Sequence, residues 1–82
     1  MIKIYLLRDT TSGKTVRMGS ANKWGWSRMA DFRSQIAAIT GYFVTPIPKA
    51  YEPLEITINN YDVEVRVIPL IEIDPKLKQK TK

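Results

Sequence analysis

Apolar and polar side chains alternate with a period of two towards both ends of the chain and with a helical period in its middle. Residues 2–8 set Ile2, Ile4 and Leu6 against Lys3, Tyr5 and Leu7, the pattern of a strand with apolar groups on both faces. Asp9-Thr10-Thr11-Ser12-Gly13-Lys14 is turn chemistry, with Gly13 free to take positive φ, and residues 15–18 read as the return strand of a first hairpin. Residues 54–58 alternate Leu54, Ile56 and Ile58 with Glu55 and Thr57. Residues 61–67 alternate Val63, Val65 and Val67 with Asp62, Glu64 and Arg66. Asn59-Asn60 between them is a tight-turn dipeptide, because Asn tolerates the left-handed region, so these segments predict a second hairpin.

The middle of the chain changes period. At 100° per residue, Met29, Phe32, Ile36 and Ile39 fall on one stripe, with Ala30, Ser34 and Ala38 on the far side. The pattern predicts a helix over residues 28–40, closed by Gly41 as its C-cap glycine. Its start is open: Ser20 and Ser27 are both candidate N-caps, and Gly25 weakens an early start by about 1 kcal/mol relative to Ala. Residues 42–45 read as a strand ended by Pro46-Ile47-Pro48, which lacks two of three ladder donors. Residues 49–53 read as a connector. Pro69 breaks the second hairpin, and Leu70, Ile71 and Ile73 can resume a strand beyond it. The order ββαβββ predicts an α+β fold with a single helix packed on a four- to five-stranded, mainly antiparallel sheet.

Length allows one domain. A chain of 82 residues buries only about 60% of its unfolded surface, so its core is thin. Residues 1–75 form the expected domain, and residues 76–82 a flexible basic tail. The chain has no Cys and no His. That removes disulfides, thiolate metal sites, cysteine nucleophiles and the commonest general base, so no enzyme, cofactor or metal site is expected. Apolar runs of five residues or fewer fall far short of the ~20 a bilayer crossing needs, and the N-terminal segment lacks signal-peptide features. The chain reads as cytoplasmic, without a membrane role.

Charge is sorted along the length. Residues 1–50 carry a net +6, residues 51–75 a net −5 and the last seven residues +4, which accounts for the overall +5. Such segregation creates fields that select partners. Within the basic block lies Lys23-Trp24-Gly25-Trp26-Ser27-Arg28, followed by Arg33. In a helix, Trp24 and Arg28 are i, i+4 neighbours on one flank of the stripe, while Trp26 and Arg33 lie about 20° apart on the other. Aromatic rings beside cations suit nucleic acid, since bases stack on the rings and phosphates meet the charges. The competing reading has both Trp side chains sealing a thin core with the Arg stems alongside.

Lys76, Lys78, Lys80 and Lys82 add four sequence-independent phosphate contacts or simply solubilise the chain. Gly13-Lys14-Thr15 ends like a phosphate-binding P-loop, but Arg8 stands where its first glycine belongs, and a hairpin turn accounts for these residues. Glu55, Asp62, Glu64 and Glu72 alternate with aliphatic residues as on a solvated sheet face, or as the acidic half of a self-complementary contact.

Length, basic pI and the Met-Ile-Lys-Ile opening resemble filamentous-phage single-strand-binding proteins. The resemblance implies an all-strand barrel, from which the helical stripe departs, and no residue is carried over. A compact chain without Cys or His is also similar in type to accessory and inhibitor proteins of phages and plasmids. Two functions follow as expectations. The first is contact with nucleic acid or a nucleoprotein complex through Lys14, Arg17, Lys23, Trp24, Trp26, Arg28 and Arg33, with the lysine tail adding reach. The second is a protein-interaction module, either a homo-oligomer or an inhibitor docking on a larger host complex.

Overall fold

The structure is a computed structural model and describes residues 1–42 and 44–73. It is α+β. Strand β1 (Ile2–Asp9) pairs antiparallel with β2 (Tyr51–Asn59), which pairs antiparallel with β3 (Asp62–Val67), in the order β1-β2-β3. The second hairpin forms as its alternation predicts, with the turn one residue later, at Asn60 and Tyr61; Asn60 takes φ 52°. Residues paired directly across an antiparallel ladder share a face. One face therefore carries the rows Leu6–Leu54–Val67, Ile4–Ile56–Val65 and Ile2–Ile58–Val63, all aliphatic. The other carries Leu7–Pro53, Tyr5–Glu55–Arg66 and Lys3–Thr57–Glu64. It grades from apolar to charged along the strands.

Helix α1 (Met29–Ile39) packs at the apolar end of that second face. Phe32 and Ile36 are fully buried there with Leu7, Ile68 and Ile73. Tyr5 stacks on Phe32 with ring centroids 6.1 Å apart, and Trp26 meets the same ring at 5.8 Å. Ala30, Ser34 and Ala38 are exposed, as the stripe requires. Ile39 departs from the stripe: it is half exposed and lines a cleft of ≈ 340 Å³ with Val16, Pro46 and Pro48. Neither Ser20 nor Ser27 caps α1; Arg28 is the N-cap residue and makes no side-chain cap bond. At the other end the Tyr42 N–H donates to the Ala37 carbonyl across Gly41, whose φ is +61°. That is the Schellman closure the glycine predicts.

Three expected elements take other forms. Residues 15–18 are not a strand. Thr15 bridges Arg8 and the Val16 N–H donates to Leu7, but the chain then turns away through a small loop closed by Met18 and Lys23. Tyr42, Val44 and Thr45 lie in turns whose N–H groups bond back to Ala37, Gly41 and Thr40. The described residues thus form three strands rather than four or five. Beyond Pro69, Leu70–Ile73 is a single helical turn, α2, rather than a strand, so α1 is not the sole helix. Proline is preset for a first helical turn, its carbonyl accepts from the Glu72 N–H, and the turn delivers Ile73 to the core.

Pro53 sits inside the central strand, where a missing donor is ordinarily costly. The Ile68 N–H donates to the Pro53 carbonyl, so this pair bonds on the β3 side, just past the end of β3. The absent N–H therefore faces a point where the ladder is already ending.

Candidate nucleic-acid interface

The first turn is built by its own side chains. The Thr11 N–H donates to Asp9 Oδ1 and the Gly13 N–H to the Asp9 carbonyl, with Gly13 at φ +74°. This turn projects Lys14, which is exposed. The next loop is stapled by Arg17, whose Nη1 donates to the Asn22 carbonyl at 3.2 Å, while Gly19 and Asn22 supply its positive φ angles. The chain then runs extended along β1. Backbone N–H to carbonyl bonds in both directions, at 2.7 and 2.9 Å, join Tyr5 and Trp26. Gly25 has a role different from the helix-weakening one: a Cβ there would stand 3.2 Å from Ile4 Cγ2, so glycine permits this close crossing.

That crossing decides which sequence-predicted residues come together. No helix runs through the Trp-Gly-Trp segment, so the two flanking pairs expected on α1 do not exist. Trp26, only 5% exposed, belongs to the core, with Lys23 Nζ 5.9 Å from its ring centroid. Arg33 is also structural, its Nε donating to the Ile73 carbonyl at 3.3 Å and tying α1 to α2. Arg28 lies exposed at the helix start, 4.0 Å from Asp31. Trp24 is the ring left outside, 46% exposed. It forms a wall common to two open clefts. One, of ≈ 450 Å³, is lined by Gly13, Lys14, Thr15, Arg17 and Trp24. The other, of ≈ 360 Å³, is lined by Ile4 and by residues 23–27. The structure thus places Lys14, Arg17 and Trp24 around one cleft and Lys23, Trp24 and the buried Trp26 around the other, with Trp24 common to both, while Arg28 and Arg33 line neither. Thr15 joins them as a lining residue that sequence reasoning passed over as part of a turn. Lys76, Lys78, Lys80 and Lys82 lie outside the described residues.

The acidic residues divide. Glu55 is nearly enclosed and takes Arg66 Nε and Nη2 at 3.3 and 3.4 Å, while Arg66 Nη1 reaches Glu72 at 3.4 Å. The hydrogen bonds from Arg66 hold the Glu55 carboxyl below its ordinary range, against the opposing effect of burial. Burial, then the neighbouring Glu55 charge, push the Tyr5 phenol up. This network fills the middle row of the sheet face and serves as a structural contact. Among the described residues no group of three or more acidic, His or Cys side chains is gathered to hold a metal ion, and no helix is long and apolar enough to cross a membrane. No family model, curated protein or solved structure matches the chain.

Proposed function

We propose that this chain is a non-enzymatic binding protein that contacts nucleic acid through Lys14, Arg17, Lys23 and Trp24. The observation that carries the reading is Trp24, a half-exposed indole walling the same cleft as Lys14 and Arg17. A stacked base occupies such a ring while the flanking phosphates meet the cations. The clefts are open and offer no array of buried donors to read base edges, so the recognition is of single strands without strong sequence preference.

Fluorescence anisotropy of a labelled single-stranded oligonucleotide tests this. Trp24→Ala is expected to weaken binding about 5- to 150-fold, the value of one lost base stack of ~1–3 kcal/mol. Three phosphate contacts, from Lys14, Arg17 and Lys23, imply roughly a 20-fold loss between 50 and 200 mM salt. Binding unchanged in Trp24→Ala would remove this surface from consideration. A second reading, a protein-interaction module, is favoured by a different observation. The aliphatic face of the sheet leaves Ile2, Val63, Val65 and Val67 more than half exposed, and contiguous exposed apolar surface marks contact sites.

A further inference from the structure

The two edges of the sheet are finished differently. The outer edge of β1 is met by Thr15, Val16 and Trp26. The outer edge of β3 is met by nothing among the described residues, and all six of its side chains are exposed. Natural edge strands are ordinarily blunted by charge, above all Lys, or by Pro, a bulge or brevity, because an open edge templates further pairing; β3 carries charge, at Asp62, Glu64 and Arg66, but of both signs. Asp62–Val67 carries neither Pro nor Lys and pairs with β2 in unbroken register.

The geometry points to antiparallel pairing of β3 with β3 of a second copy, centred on Val65. Three observations select that occupant and that register. First, the Ile68 N–H donates to Pro53, so even-numbered residues turn their backbone groups towards β2. Successive residues alternate, which leaves the N–H and C=O of Val63, Val65 and Val67 pointing outwards. Second, only registers that match these outward groups close a ladder, and those registers set aliphatic against aliphatic and polar against polar. Third, charge separates the registers that remain. Centring on Val63 puts Asp62 across from Glu64, centring on Arg66 opposes it to itself, and centring on Glu64 pairs Asp62 with Arg66 but sets Glu64 against itself on the axis. Centring on Val65 puts Glu64 of each copy across from Arg66 of the other, with Val63 across from Val67. Opposite charges directly across a ladder are favourable and like charges unfavourable. The result is one six-stranded sheet with a two-fold axis at Val65. The loops bearing Lys14, Arg17, Lys23 and Trp24 stand beyond β1, on the far side of the sheet from this edge, so this assembly does not depend on what they bind.

Sedimentation equilibrium of the full chain is expected to show a reversible monomer–dimer equilibrium. Glu64→Arg alone and Arg66→Glu alone are each expected to weaken the dimer about tenfold or more, since each turns both cross pairs into repulsions. Mixing these two variants restores association as a heterodimer. One copy then brings arginine at both positions and the other glutamate at both, so each cross pair is again of opposite charge. This restoration cannot come from a variant that fails to fold. The chain lacks Cys, so Val65→Cys supplies a single thiol. A directly paired residue sits about 5.5 Å from its counterpart, within disulfide reach, so oxidation is expected to link two copies through Val65→Cys and not through Val63→Cys. A chain that stays monomeric at every concentration overturns the proposal. So does a dimer indifferent to residues 64 and 66, which would belong to the aliphatic face or to another partner.

Discussion

The β1 side and the β3 side of this small sheet differ in how completely they are covered. β1 contributes Tyr5 and Leu7 to the core, is crossed by the Trp26 segment and lies against α1. β3 contributes no buried residue; its valines stay 52–64% exposed although they alternate as a strand requires. Strand formation and burial are thus separate properties here. β3 is held by its ladder and cross-strand neighbours, β1 by those and by packing as well. In a domain with so little core, stability concentrates where the second layer lies.

The largest expected effect tests that asymmetry through the two tryptophans. Trp26→Ala removes a ring buried against Phe32 and is expected to cost about 3–5 kcal/mol, the usual range for a buried aromatic. Trp24→Ala is expected to cost under about 1 kcal/mol, because nearly half the side chain is already in water. Urea titrations followed by far-UV circular dichroism give both values. Comparable losses in the two variants would mean that the Trp24 wall is as structural as Trp26, and the proposed nucleic-acid site would lose its ring.

Gly25 sharpens the same comparison at the backbone. Its crossing brings the 23–27 segment onto β1, and a Cβ would meet Ile4 Cγ2 at 3.2 Å. Gly25→Val is expected to cost roughly 1–3 kcal/mol, as overpacking does. It should also lower oligonucleotide affinity by displacing Trp24, a coupling read from stability and anisotropy measured on one variant.

These two positions mark where sequence reading reached and where it stopped. The second hairpin and the stripe of Phe32 and Ile36 are legible because their periods are local properties of the chain. The C-cap at Gly41 is legible because only a left-handed residue closes the helix that way. The Trp-Gly-Trp segment is not, because its conformation is set by β1, some twenty residues away. A glycine needed for a close crossing looks the same in sequence as one that weakens a helix. The candidate site follows the same rule. Lys14 is placed by its own turn, whereas Trp26 and Arg33 are claimed by tertiary partners, Phe32 and the Ile73 carbonyl, that no spacing announces. Residues 15–18 depart from a strand for a similar reason, since the loop closed by Met18 and Lys23 competes for their backbone groups.

A smaller effect is expected from pH. Glu55 is held below its ordinary value of 4.5, chiefly by hydrogen bonds from Arg66. A depressed carboxyl stabilises the fold above its unfolded pKa, and that contribution is lost as pH falls through the folded value. Tyr5 runs the other way: its raised pKa favours the fold below its ordinary 10.0, and this is lost as pH climbs through the folded value. Arg66→Gln should therefore make stability less sensitive to acid below pH 4.5, with little change in the alkaline limb. Thermal melts from about pH 2 to about pH 11 separate the two limbs. An acid limb identical in Arg66→Gln and the parent would assign acid sensitivity to carboxyls other than Glu55.

The smallest expected effect is the most direct probe of the bare side. Val63→Thr keeps a β-branched side chain and exchanges a methyl for a hydroxyl at a position 64% exposed. In an isolated chain the stability should move by less than about 0.5 kcal/mol, as surface substitutions do. Burial changes the sign of the argument, because a hydroxyl desolvated without a partner costs about 1–3 kcal/mol. A loss that large, measured at high protein concentration and absent at low, would mean that Val63, and with it the face shared by Ile58 and Ile2, is covered in solution by another copy. A null result at both concentrations would confine any self-association to the backbone edge of β3, where the ladder forms without enclosing the aliphatic face.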